Sequence, residues 1–140
     1  MTRLLGVCGF MAASLLALPV SASASDGDPL SASRWKQRVL LVMAVQPGDP
    51  KLMRQRQIFR TMGAGARERD LRLVEVVGDT PRAAELRRRF DIDGLAFHAI
   101  LVGKDGGNKL TSDVPLDADT LFPLIDTMPM RQEEMRGGRS

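Results

Sequence analysis

Sulfur and aromatic chemistry are nearly missing from this chain. Its 140 residues hold one cysteine, Cys8, one histidine, His98, one tryptophan and no tyrosine. A single cysteine rules out an intrachain disulfide, and without a His/Cys cluster there is no ligand set for zinc or copper. One tryptophan and no tyrosine make a poor stacking platform for bases. Lysine and arginine together number 20 against 17 aspartates and glutamates. That near balance, without clustered cations between aromatics, gives no electrostatic footprint for nucleic acid.

Long apolar runs are scarce too, and the longest lies at the start. Arg3 supplies a basic head, residues 4–18 are almost wholly apolar or small, and Pro19 breaks the run. Ala22 and Ala24 each end a small-x-small site for a signal peptidase. The run is shorter than the roughly 20 apolar residues of a membrane span. The pattern predicts a cleaved export signal over 1–24, with Ala24 the first choice and Ala22 the second, and so a periplasmic or secreted product with no membrane span after cleavage. Cys8 and Arg3 leave with the signal. The mature chain then holds no cysteine and nineteen basic against seventeen acidic residues. Thiol–disulfide exchange needs a thiolate, and none remains.

After a lead-in over 25–33, read as flexible from its Ser, Asp, Gly and Pro content, elements alternate. Residues 39–45 are all apolar, the pattern of a central strand covered on both faces. Asp49-Pro50 pairs a capping carboxylate with a first-turn proline and opens a helix over 50–62, which Gly63 and Gly65 should end. Residues 71–77 alternate as a strand nearer an edge. Thr80-Pro81 opens a second helix to about Phe90, with Ala83, Leu86 and Phe90 on its buried face. Residues 96–102 form another central strand. Asp105-Gly106-Gly107 turns it into a hairpin strand, and a last helix runs over 119–128 until Pro129 interrupts it. From 131 to 140 a charged, Gly-rich tail should fray. Taken together, 34–130 reads as one α/β domain with a central mixed sheet of about four strands and helices on both faces, the arrangement of the thioredoxin-like fold.

Four segments carry a closer likeness: Trp35-Lys36-Gln37-Arg38 running into 39–41, Glu68-Arg69-Asp70-Leu71, Gly103-Lys104-Asp105-Gly106-Gly107, and residues 124–131. In this order and spacing they resemble an exported bacterial domain of unknown function of the P-DUDES type, a thioredoxin-like domain shared with Equarin and the sushi-repeat matrix proteins. The resemblance implies a thioredoxin-like fold and, in the animal relatives, adhesion or matrix roles; it implies no reaction. Where the thioredoxin pattern carries its two cysteines this chain has Pro47, Gly48, Asp49 and Pro50, and His98 stands where that pattern has its cis-proline.

Candidate binding residues are therefore Gln46, Gly48, Asp49 and His98, with no catalytic residue, metal or cofactor assigned. The reading favoured is a binding or interaction module, its partner a protein of the periplasm or cell envelope. Two alternatives stand beside it: a non-redox enzyme in which Asp49 orients His98 for acid–base work, and a structural or adhesion module. Asp49 is more simply a helix cap, Asp91-x-Asp93-Gly94 a turn rather than a calcium loop, and Arg87-Arg88-Arg89 a solvated face at a helix C-terminus. Expression in a bacterial host should yield an exported protein whose intact mass begins at Ser25, or at Ser23 for the second site; a mass retaining Met1 contradicts the signal.

Overall fold

Residues 39–44 offer no polar side chain, so the strand they form must be covered on both faces. The computed structural model describes residues 28–138, and in it this strand, β1 (Arg38–Ala44), is buried along its whole length. The elements that follow are α1 (Pro50–Glu68), β2 (Leu71–Val77), α2 (Pro81–Arg89), β3 (His98–Val102), β4 (Asn108–Ser112), α3 (Ala118–Asp126) and α4 (Pro129–Gly137). The sheet order is β2-β1-β3-β4. β1 is parallel to β2 and antiparallel to β3, and β4 is antiparallel to β3. This is the mixed α/β, thioredoxin-like architecture that the alternation of elements predicted.

Strand periodicity sorts the core into two layers. Leu40, Val42 and Ala44 face Leu52, Met62 and Ala66 of α1 and Leu121 and Ile125 of α3. Val39, Leu41 and Met43 face Ala83 and Leu86 of α2, with Phe90 beyond it. β2 lies at an edge, with Leu71, Leu73 and Val77 on the first face and Val74 and Val76 on the second.

Three boundaries differ from the sequence reading by more than two residues. Gly63 does leave helical geometry (φ 47°, ψ −117°), yet α1 resumes beyond the kink and runs to Glu68. Gly65 serves a close approach instead of a stop: a Cβ there would lie 2.5 Å from Cε2 of Phe122, so only glycine lets α1 and α3 come together. At the start, where flexibility was expected, residues 28–33 include a 3₁₀ turn at Ser31–Ser33 and bury Leu30 and Ser33. At the end, Pro129 closes α3 but sits in the first turn of α4, so helix replaces the expected fray as far as Gly137.

Charge pairing explains why that last helix holds. Arg131, only 5% exposed, donates Nε to Asp126 Oδ1 at 3.1 Å and Nη2 to Glu68 Oε1 at 2.7 Å. Arg69 donates to both oxygens of Asp126, at 3.0 and 2.7 Å. Glu134 receives the buried Arg38 guanidinium at 3.2 Å through both oxygens and the Lys104 ammonium at 2.6 Å. Asp70 takes another Lys104 hydrogen at 2.8 Å. Burial opposes the charge on Asp126, but hydrogen bonds from Arg69 and Arg131 outweigh it and hold the pKa below the usual carboxylate value. Burial likewise opposes Glu134, and Lys104 and Arg38 prevail there.

Depressed native pKa values mean that the unfolded chain takes up protons first as pH falls. The stability these two carboxylates supply is full above the ordinary range, about pH 4 to 4.5, and is lost as pH drops through their lower native values. Glu134→Gln should cost about 2 kcal/mol at neutral pH, below the usual cost of breaking a buried pair because Glu134 is partly solvated. It should also flatten the acid limb of stability against pH; urea titrations from pH 7 to 3 read both effects.

Candidate functional site

Strand direction fixes which loops meet. β1 and β2 end at the same edge of the sheet where β3 begins and β4 ends. Loops 45–49, 78–80 and 113–117 and the run into His98 therefore share one end, the end at which α1 starts.

There Asp49 caps α1. Its Oδ1 accepts from the backbone N–H groups of Lys51 at 2.8 Å and Leu52 at 3.3 Å, satisfying two of the helix's orphan donors. The carbonyl of Gln46 accepts from Asp49 N at 3.1 Å, closing a tight turn through exposed Gln46, Pro47 and Gly48. Lys51 Nζ donates to the Asp113 carbonyl at 2.8 Å. The buried Gln55 amide both donates to Leu116 O at 2.8 Å and accepts from Leu116 N at 2.7 Å. Those three bonds lash the β4–α3 loop to α1.

His98 is half-buried at the first position of β3, opposite Met43 of β1. Its Nδ1 lies 3.0 Å from the Ala96 carbonyl. A carbonyl only accepts, so Nδ1 carries the hydrogen, and in the neutral ring Nε2 keeps a lone pair. Gln46, Gly48, Asp49 and His98 thus share one end of the sheet. No hydrogen bond or ion pair joins Asp49 to His98 among the described residues; the carboxylate is committed to the cap, and the imidazole is oriented by backbone.

That backbone has its own anchor, which sequence reasoning placed in solvent. Arg87 is buried, and its guanidinium donates to the carbonyls of Gly94 at 2.8 Å and Leu95 at 3.2 Å, with two longer bonds of 3.4 Å to Ala96. Burial lowers the Arg87 pKa, and the charge of Asp79 acts the other way. Its Nε finds no partner. Only Arg88 and Arg89 of the Arg87-Arg88-Arg89 run are exposed. Ala96 O therefore receives both Arg87 and His98, so the guanidinium positions the peptide that fixes the ring. In a run of three arginines, nothing in the sequence marks the one that turns inward.

Three large apolar side chains stand exposed at the same end. Met53 in the first turn of α1 is 56% exposed, Leu95 ahead of β3 is 47% and Val114 after β4 is 50%. None of them reads as exposed from its sequence neighbours.

Residues 29–134 match the family model described as a domain of unknown function (DUF4174). The chain belongs to the DUF4174 family. This stretch takes in every strand, α1 to α3 and the first part of α4. The DUF4174 chain is also similar to the Sushi repeat-containing protein SRPX2 of Xenopus laevis, 25% identical over 114 residues that cover 71% of this chain and 25% of that protein. It thus spans about a quarter of that relative's length. Both findings agree with the likeness to a domain of unknown function that sushi-repeat proteins share.

Long-range 1H–15N spectra above the imidazole titration range should show His98 as the Nδ1–H tautomer. Arg87→Met should move that signature toward a tautomer mixture and lower stability by about 1 kcal/mol, the cost of losing hydrogen bonds to part-buried carbonyls. An unmoved ring signal in the folded variant shows that Arg87 does not position the histidine.

Proposed function

We propose that this DUF4174 domain is a non-redox binding module of the P-DUDES type, exported after loss of its signal, and that it takes a polypeptide partner at the end of the sheet marked by His98. One observation carries the reading. Three of the four large apolar side chains that stand well exposed among the described residues, Met53, Leu95 and Val114, lie at this end. Solvated apolar groups that the fold leaves uncovered mark contact surfaces when they gather. Around them the site offers the directional groups that peptide recognition uses: the Nε2 lone pair of His98, the exposed turn of Gln46 and Gly48, and the Asp49 carboxylate at the rim.

Two of the loops at this end are held in place before a partner arrives. The β4–α3 loop is tied to α1 through Gln55 and Lys51, and the Leu95 loop to α2 through Arg87. Preorganisation of this kind spares the entropy of ordering loops on association.

A photoreactive amino acid placed at position 95 or 114 should give discrete covalent adducts in the compartment where the protein resides. The same group at Arg60, an exposed residue of α1, should give none. Adducts should fall at least tenfold when His98→Ala or Met53→Glu is added. Equal labelling from all three positions contradicts a site at this end.

A further inference from the structure

The fourth exposed large apolar side chain, Trp35, stands at the opposite end of the sheet. It is 60% exposed, and its N–H donates to the Lys104 carbonyl at 2.6 Å, beside the β3–β4 hairpin. Its backbone is left-handed, with φ 67°, a region that bulky residues avoid. Gly or Asn would fill this turn at lower cost, and the indole gains little burial in return. The Arg34 guanidinium lies 5.5 Å from the ring centroid. Arg34 and Lys36 are exposed, and neither meets a carboxylate in an ion pair among the described residues. Folding accounts for the network at this end, but not for an outward indole between two cations that form no ion pair among the described residues.

The far end has the complementary character. Its loops 45–49, 78–80 and 113–117 contain Asp49, Asp79, Asp113 and Asp117 and no lysine or arginine, while the helix starts beside them carry Lys51, Arg54 and Arg82. Met53, Leu95 and Val114 stand exposed among them. One molecule thus presents an exposed indole between Arg34 and Lys36 in sequence at one end and exposed apolar side chains among aspartate-bearing loops at the other.

We infer that the occupant of the His98 end is a second copy of this chain, docked through Trp35, Arg34 and Lys36, so that molecules associate head to tail. The inference rests on the binding reading of the His98 end and names the partner for it. The contact joins two different surfaces, so it is heterologous: each copy keeps one free end, and growth continues past the dimer unless a ring closes. Opposite charges steer the contact, so salt weakens it.

Sedimentation velocity on the full chain as isolated, from micromolar to millimolar and at low and high salt, provides the test. The weight-average mass should rise past twice the monomer at low salt and fall as salt is added. Trp35→Gly with Lys36→Glu blocks one end, and Leu95→Asp with Val114→Asp blocks the other. Each double variant alone should be monomeric, with its apparent Kd raised about tenfold or more. An equimolar mixture should form a one-to-one heterodimer and nothing larger. Trp35→Gly removes the left-handed strain, so its melting temperature should hold or rise, separating lost association from lost folding. Should the Asp variants unfold, Asp79→Lys with Asp113→Lys serves in their place.

A wild-type chain that stays monomeric overturns the inference, as does association that stops at a dimer, ignores Trp35 or fails to reappear on mixing. In any of those cases adducts of positions 95 and 114 with other proteins still support the binding reading, whereas loss of those adducts removes both.

Discussion

Arg38 occupies the first position of the central strand with 1% of its surface exposed, and its charge has to be answered inside the protein. Glu134 meets it from α4, the Arg69 carbonyl from the α1–β2 corner, and Lys104 joins through the same glutamate from the hairpin. The starts of β1 and β2, the β3–β4 hairpin and α4 are thereby fixed together at one end of the sheet. Removing one member strands a buried charge, which costs more than the assembled network gains over an apolar equivalent. Its value is therefore partly geometric: it decides where α4 lies and closes the floor of the sheet.

With the floor closed by ion pairs, the opposite end is free to be built from loops. Its order comes from side chains that clamp backbone: Asp49 on the start of α1, Gln55 on Leu116, and Arg87 on the peptides before β3. Each clamp uses a polar group to satisfy main-chain donors or acceptors that no strand partner reaches. The exposed apolar residues and His98 ride on these loops without having to stabilise them. Loops positioned by a rigid frame are the usual way a fold hosts recognition.

Much of the frame is legible in the sequence because it depends on local periodicity. The unbroken apolar run at 39–45 marks a strand covered on both faces, the Asp49-Pro50 and Thr80-Pro81 pairs mark helix starts, and Asp105-Gly106-Gly107 marks the hairpin. The errors fall where a distant partner overrides a local signal. Gly63 and Gly65 read as a helix stop, but packing against Phe122 carries α1 onward. The segment from Arg131 reads as a frayed tail, but Asp126 and Glu68 hold its Arg131, while Arg38 and Lys104 hold its Glu134, and it stays helical. Arg87 reads as solvated because its acceptors are carbonyls, and a carbonyl has no letter in the sequence.

For the candidate site the division is sharper. Composition alone fixes the lack of a thiol pair, since one cysteine cannot form two, and periodicity alone fixes the α/β class and the sheet's central strands. Folding decides that Gln46, Gly48, Asp49 and His98 share an end, that Asp49 caps a helix instead of orienting the histidine, and that Met53, Leu95 and Val114 emerge beside them. Periodicity is a property of neighbours along the chain, so one sequence carries it. Which side chains remain uncovered depends on what arrives from elsewhere in the chain, and that is settled only when the layers close.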